Sequence, residues 1–371
     1  MGIPSRRNGL VLLLAFAAAA CATAKPPAPT TWPAPPDKPR IQFVRQLQSP
    51  ADLPPTTAWQ RIRRFFLGDD TSIPIFNPTA VALSPDDQRL YVSLTSTGKV
   101  VEIDFASGSM RYTANESGKS PKQPLGIATD AAGNLYVADV AGAKVLVYGP
   151  SGGYLRAIGE KQLDRPTGIA VDRRRQILYV SEGGRVENDR HRIEVFSLDG
   201  RHVRTMGKRG TQAGEFMFPT FLAVGPDGNL YVSDTLNFRI QIFDPEGALV
   251  GFFGQQSESM GGFNKVKGIA FDNAGLMHVA DAAASGVQVF NKRQQLLLGY
   301  GGPGMEPSLM ATPNGIAIDS KNNIYVADLM ANRVSQYVLL DTSDTEERSP
   351  AGNAAAGAPA AAPPPSAAPA K

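Results

Sequence analysis

Apolar and polar positions follow one pattern along this chain, and the pattern recurs six times. Four copies are clear: QPLGIATDAAGNLYVAD, RPTGIAVDRRRQILYVS, FPTFLAVGPDGNLYVSD and TPNGIAIDSKNNIYVAD. Two are weaker, NPTAVALSPDDQRLYVS and KVKGIAFDNAGLMHVAD. Each holds a short apolar run, a turn and a second apolar run. The aromatic position of the second run falls at Tyr91, Tyr136, Tyr179, Tyr231, His278 and Tyr325, spaced by 45, 43, 52, 47 and 47 residues. A period of about 40–50 residues that contains several strands points to a propeller or a repeat array.

One unit reads as four strands. The run Gly168–Asp172 is the first. A turn such as Pro226-Asp227-Gly228-Asn229 follows, where Asp-Gly and Gly-Asn tolerate the positive φ of a tight hairpin. The LYVAD run, rich in aromatic and β-branched residues, is the second strand. Arg239–Asp244 alternates polar and apolar and is the third, and Ala248–Gly254 is the fourth. Four antiparallel strands per unit predict an all-β, six-bladed β-propeller. No amphipathic helical pattern separates the units, which argues against a parallel α/β fold. Small residues alternate in the first strand, as in Gly126/Ala128, Gly168/Ala170, Gly268/Ala270 and Gly315/Ala317, and would let the innermost strands crowd the axis. The apolar alternates Ile127, Ile169, Leu222, Ile269 and Ile316 are expected to pack between blades. The last unit stops after Tyr337–Leu340 without a fourth strand. The run Arg40–Leu47 is expected to supply it and close the ring, which removes exposed sheet edges.

The repeat resembles that of NHL-repeat six-bladed propellers. The matching elements are P-x-G-I-A-x-D, then G-N-L-Y-V-A-D, then N-x-R-I-x-x-F/Y, the last represented by Asn237-Phe238-Arg239-Ile240 and Asn332-Arg333-Val334. The resemblance covers residues 40–340. It departs at Ala80 and Leu94 in the first blade and at Phe221 in the fourth. It implies the fold. It does not imply one function, because the scaffold hosts unrelated activities. Related propellers include peptide-amidating lyases with a histidine-held zinc, and lactonases with a central divalent metal on Asp, Asn and Glu.

The ends of the chain add a location. Residues 1–20 read as an export signal: Arg6 and Arg7 precede an apolar stretch, Leu10 to Ala20, too short to span a bilayer comfortably. The stretch ends in Ala18-Ala19-Ala20-Cys21, which resembles a bacterial lipobox and makes Cys21 the expected lipidation site. Cys21 is the single cysteine, so no internal disulfide or thiolate chemistry is available. Residues 21–39 read as a lipidated, Pro-rich, extended tether. Residues 341–371 turn Ala/Pro-rich and are expected to be disordered. Ala22 after the cysteine fits an outer-membrane lipoprotein facing the periplasm or the surface.

Charge singles out the third blade. The chain is +3, and the signal accounts for two positive charges, Arg6 and Arg7. Residues 165–209 hold eleven Lys and Arg against six Asp and Glu, and the longest spacing falls here, placing an inserted loop near 183–192. Arg173, Arg174, Arg175, Arg185, Arg190 and Arg192 are therefore candidate binding residues for a protein or an anionic envelope polymer. An exported protein rarely meets nucleic acid, so none is expected as a partner, and the propeller is expected to be monomeric. Trp59, Ile62 and Phe66 in Trp59–Gly68 share one helical face beside arginines. The expected arrangement packs these aromatics on the propeller; the alternative is a basic helix on an anionic membrane.

Candidate chemistry is sparse. The three histidines, His191, His202 and His278, fall at different points of the repeat and do not suggest a zinc site. The aspartates recur blade after blade, at the first-strand end (Asp130, Asp172, Asp272, Asp319) and the second-strand end (Asp139, Asp234, Asp281, Asp328), which marks them as architectural. No catalytic residue, metal ligand or cofactor is assigned. The positions at the channel mouth are Thr79, Leu125, Thr167, Thr220, Lys267 and Asn314. Lys267 and Asn314 break the repeat there, and Phe221 is expected to plug the channel or floor a pocket. The functional expectation is a membrane-anchored, non-catalytic binding propeller. The alternative is a metal-dependent propeller enzyme, lactonase-like or amidating-lyase-like.

Overall fold

The computed structural model describes residues 29–340, apart from 69, 71 and 185–187. Residues 1–28, with Cys21, and the tail 341–371 lie outside the described residues. Six antiparallel sheets stand around one axis. Their innermost strands are Pro78–Leu83, Pro124–Thr129, Pro166–Asp172, Pro219–Val224, Val266–Phe271 and Pro313–Ile318. Five sheets run in chain order from the inside outward. The sixth combines Pro313–Ile318, Asn323–Asp328 and Arg333–Leu339 with Ile41–Leu47, so the expected N-terminal strand closes the ring.

The small residues do what the pattern demanded. A Cβ on Gly168 would lie 2.2 Å from the Thr220 carbonyl of the next blade, and one on Gly315 would lie 2.6 Å from Ala80 Cα. At these positions neighbouring inner strands are in backbone contact and leave no room for a Cβ. The alternate apolar residues fill the wedges between blades. Ile169, for example, packs with Tyr136, Val145 and Val147 of blade 2 and with Leu178 and Phe196 of blade 3. Six such interblade clusters make the core.

Two expectations about the N-terminal segment need correction. The Pro-rich stretch 21–39 does not run free throughout. Thr31–Trp32 adds a fifth strand beside Ile41–Gln42, and Trp32 packs 5.8 Å from Tyr337 and 6.3 Å from Tyr300. An indole in reach of two tyrosines gains more from burial than from extension in water. The helix does form, as α1 (Ala58–Leu67), with the Thr57 side chain accepting from Gln60 N at 3.1 Å in a capping box. Its aromatics, however, do not pack on the propeller: Trp59 is 71%, Phe65 84% and Phe66 75% exposed. The polar side packs instead. Gln60 Nε2 donates to Ser107 O at 2.8 Å, and Arg64 donates to the Leu53 and Ala51 carbonyls. Carbonyls left open in the preceding loop and the first blade's outer turn recruit the donors, and the apolar face is turned outward.

Candidate functional site

Strand direction defines two faces. The upper face carries the starts of the innermost strands, the second-to-third-strand loops and the linkers between blades. The lower face carries the turns that follow the innermost strands.

The repeated aspartates belong to the scaffold on both faces. On the upper face, Asp139 accepts from Lys122 N and Gln123 N, and Asp328 accepts from Ala311 N and Thr312 N, so each clamps the linker entering its own blade. Glu182 fills this role in blade 3, accepting from Asp164 N and Arg165 N. Asp234 also meets Arg239 at 2.9 Å. On the lower face, Asp130 accepts from Ala132 N and Asn134 N, and Asp319 from Lys321 N and Asn323 N, the bonds of a tight Asp-initiated turn. The histidines stay apart. His191 Nδ1 accepts from Phe218 N, His202 Nε2 lies 2.7 Å from Glu194, and His278 is buried against Asp272. A divalent metal would need several converging ligands. Among the described residues no three His, Cys, Asp or Glu form such a group. The axial cavity is lined mainly by Ala, Val, Leu and Ile, its three aspartates Asp87, Asp172 and Asp272 stand beside Arg173 and Arg174, and an ammonium at the upper mouth would repel a cation. These residues do not fit a central metal site.

The basic cluster of blade 3 is split. Arg173, Arg174 and Arg175 form a lower-face turn. Arg190 and Arg192 lie at the upper end of the same sheet, and Arg185 lies outside the described residues. Most of these guanidinium groups are engaged. Arg173 crosses to blade 2 and donates to Thr129 O and Oγ1 at 3.1 and 2.7 Å, while Arg175 pairs with Asp172 at 2.9 Å. Arg190 donates to Gln162 O at 3.1 Å. Arg192 pairs with Glu182 and Glu194 at 3.2 and 2.7 Å. Arg173 and Arg174 both line a lower-face cavity of about 500 Å³ whose wall includes Ala82, Ala128, Ala170, Ala223, Ala270 and Ala317, one from each blade, together with Asp87, Asp172 and Asp272. The small pair thus has two jobs: its glycine lets blades touch, and its alanine leaves the axial space.

The upper mouth departs from the repeat. Thr79, Thr167 and Thr220 each bond a hydroxyl of their own blade, Thr95, Ser181 and Thr235, at 2.6, 2.9 and 2.6 Å. Phe221, 9% exposed, joins the apolar cluster of blades 1 and 2 that includes Ala80, Ala82 and Ile127. Its ring therefore reaches across the axis and plugs the channel. Lys267 is half-buried, and no carboxylate among the described residues pairs with its ammonium. Burial, with Lys265 nearby, pushes its pKa down to about 8. Asn314, in the adjoining inner strand, is 8% exposed, and its Oδ1 has no hydrogen-bond partner among the described residues. Sequence reasoning missed the exposed apolar side chains of the upper face. Leu236, Met260, Met305 and Met330 project from upper-face loops with 48%, 62%, 64% and 60% exposure. Their signal was an apolar residue repeatedly placed in an otherwise polar or Gly-rich connection.

Comparisons with known proteins agree with this architecture. The SMP-30/gluconolactonase/LRE-like region matches residues 71–184, and the NHL repeat matches residues 216–243. No curated protein matches the sequence. Among solved structures, a streptogramin B lyase superposes with TM-score 0.54 at 15% identity, covering 72% of this chain and 95% of that one. Virginiamycin B lyase from Staphylococcus aureus gives 0.53 at 16%, covering 73% and 84%. A putative gluconolactonase gives 0.55 at 16%, covering 71% and 89%. Likeness at this identity is likeness of fold. With the repeat match and the ring of six four-stranded blades, the chain is an NHL-repeat six-bladed β-propeller.

Proposed function

We propose that this protein is an exported propeller, lipid-anchored at Cys21, that binds a partner protein on its upper face without transforming it. The observation that carries this reading is the composition of that face. Exposed Leu236, Met260, Met305 and Met330 accompany a plugged mouth holding an ammonium without a counter-charge among the described residues. Methionine adapts to irregular partner surfaces, and exposed apolar groups on a polar rim mark interaction sites. Lys267 would take an acidic group of the partner, and Asn314 Oδ1 a donor beside it. The metal-dependent enzyme reading draws on the gluconolactonase-like match, but the carboxylates it would use are bonded to backbone amides and arginines.

The test places a photo-cross-linking residue at Met305 or Met330, at Arg174 on the lower face, and at Phe252 on an outer strand, in the intact envelope. A discrete cross-linked species from Met305 and Met330 alone, abolished by Lys267→Glu, is expected. Equal labelling from all positions, or none from the upper face, would overturn the proposal.

A further inference from the structure

Helix α1 is amphipathic in the wrong sense for a helix that only packs on its own domain. At 100° per residue, Gln60 and Arg64 lie together on the side that bonds the propeller. Trp59, Ile62, Phe65 and Phe66 cover the opposite arc, and all four are exposed, at 71%, 48%, 84% and 75%. Arg61 and Arg63 fall on either side of that arc, both exposed. An outward aromatic stripe edged by two cations is the form of a helix lying in a membrane interface. Phe65 and Phe66 are only 5.2 Å apart edge to face, so they enter an apolar layer as one block.

The chain outside the described residues says which surface covers this stripe. It leaves from Pro29, next to the strand Thr31–Trp32 on the outer edge of blade 6. Blade 6 adjoins blade 1, where the helix is fixed to Ser107, and residues 48–57 connect the two directly. Eight residues of chain lead from Cys21 to Pro29, at most about 26–29 Å when extended. A bilayer holding Cys21 is therefore within reach of the edge on which the helix stands.

We infer that α1 docks in the headgroup layer of an anionic membrane, with Trp59, Ile62, Phe65 and Phe66 facing the acyl chains and Arg61 and Arg63 on the headgroups. The tether then limits distance, and the helix sets the orientation of the propeller above the bilayer. The membrane identity rests on the anchor proposed above; the docking itself does not, because it can be read with Cys21 absent.

The full chain carrying Cys21→Ser is mixed with vesicles containing about one quarter phosphatidylglycerol in phosphatidylethanolamine. The chain has two tryptophans, and Trp32 is held against Tyr300 and Tyr337, so Trp59 is the responsive ring. A blue-shifted emission, quenched by brominated acyl chains and absent in Trp59→Phe, is expected. Phe65→Ser with Phe66→Ser should weaken partitioning by roughly tenfold or more, and raised salt should weaken it further. Unchanged Trp59 emission on these vesicles, with the fold intact by circular dichroism, would overturn the inference. So would dimers in sedimentation that Phe65→Ser and Phe66→Ser abolish, since a second copy would then cover the stripe. Failure of upper-face cross-linking leaves this readout untouched, so the two proposals fail separately.

Discussion

His278 and Asp272, both wholly buried, meet at 3.1 Å through Nε2 and Oδ2. In blade 2 the same contact is made by Tyr136, whose hydroxyl donates to Asp130 Oδ2 at 3.1 Å. The histidine thus stands in for the tyrosine of the repeat, and Tyr300 hydroxyl, 3.3 Å from Nδ1, occupies its other nitrogen. Asp272 Oδ1 accepts from Ala274 N and Leu276 N, which leaves His278 as the donor to Oδ2. A histidine so enclosed holds a turn and is not poised for chemistry.

Replacement of His278 should therefore be read in stability. His278→Phe keeps the ring and removes the bond to a buried carboxylate, for an expected loss of about 1–3 kcal/mol. His278→Ala adds a cavity and should lose about 2–4 kcal/mol. Urea unfolding of the two variants checks both the losses and their order. Equal stability of all three proteins would mean that Asp272 finds another donor.

The fold was legible because the repeat is mechanical. Gly168 and Gly315 announce close strand contact, and Ile169 and Ile316 announce the interblade core. The closing strand was legible from the missing fourth strand after Leu340. The site was less so. Arg173 and Arg190 are close in sequence yet at opposite ends of one sheet, because each strand carries the chain across the disc. Linear charge density cannot show that reversal. The outward turn of Trp59 and Phe66 was hidden for a related reason: helical periodicity gives a face, and the acceptors at Ser107, Leu53 and Ala51 decide which face turns inward. Lys267 and Asn314 were visible as breaks in the repeat, but that no described carboxylate meets the ammonium and no described donor meets Asn314 Oδ1 appeared only in three dimensions.

Lys267 should leave a signature in the pH dependence of stability. Its pKa is pushed from 10.5 to about 8 in the folded protein. Between those values the unfolded chain binds the extra proton, so folding is penalised below about pH 8 and the penalty is relieved as pH rises toward 10.5. Lys267→Met should raise stability at pH 7 by about 1–3 kcal/mol and should flatten the difference from the parent protein in alkali. Denaturant midpoints of both proteins across that range supply the measurement. A parallel pair of curves would show the ammonium to be well solvated, and would remove one support for the upper-face proposal.

Ring closure should be hypersensitive at the inner strands and indifferent at the rim. A methyl group on Gly168 would meet the Thr220 carbonyl oxygen at 2.2 Å and Ser181 Oγ at 2.9 Å. The carbonyl cannot swing away without separating blades 3 and 4, and the rest of the closed ring holds those blades at their angle. Gly168→Ala should cost at least about 2–3 kcal/mol. Gly251, in the outer strand Leu249–Phe253, has no atom of the described residues within 4 Å of the same position. Gly251→Ala should be neutral or should stabilise by about 0.5 kcal/mol, because it restricts the unfolded chain. Thermal unfolding of the two variants beside the parent decides the matter. A Gly168→Ala protein as stable as Gly251→Ala would mean that the blades can slide apart, and that the glycine pattern reflects something other than contact at the axis.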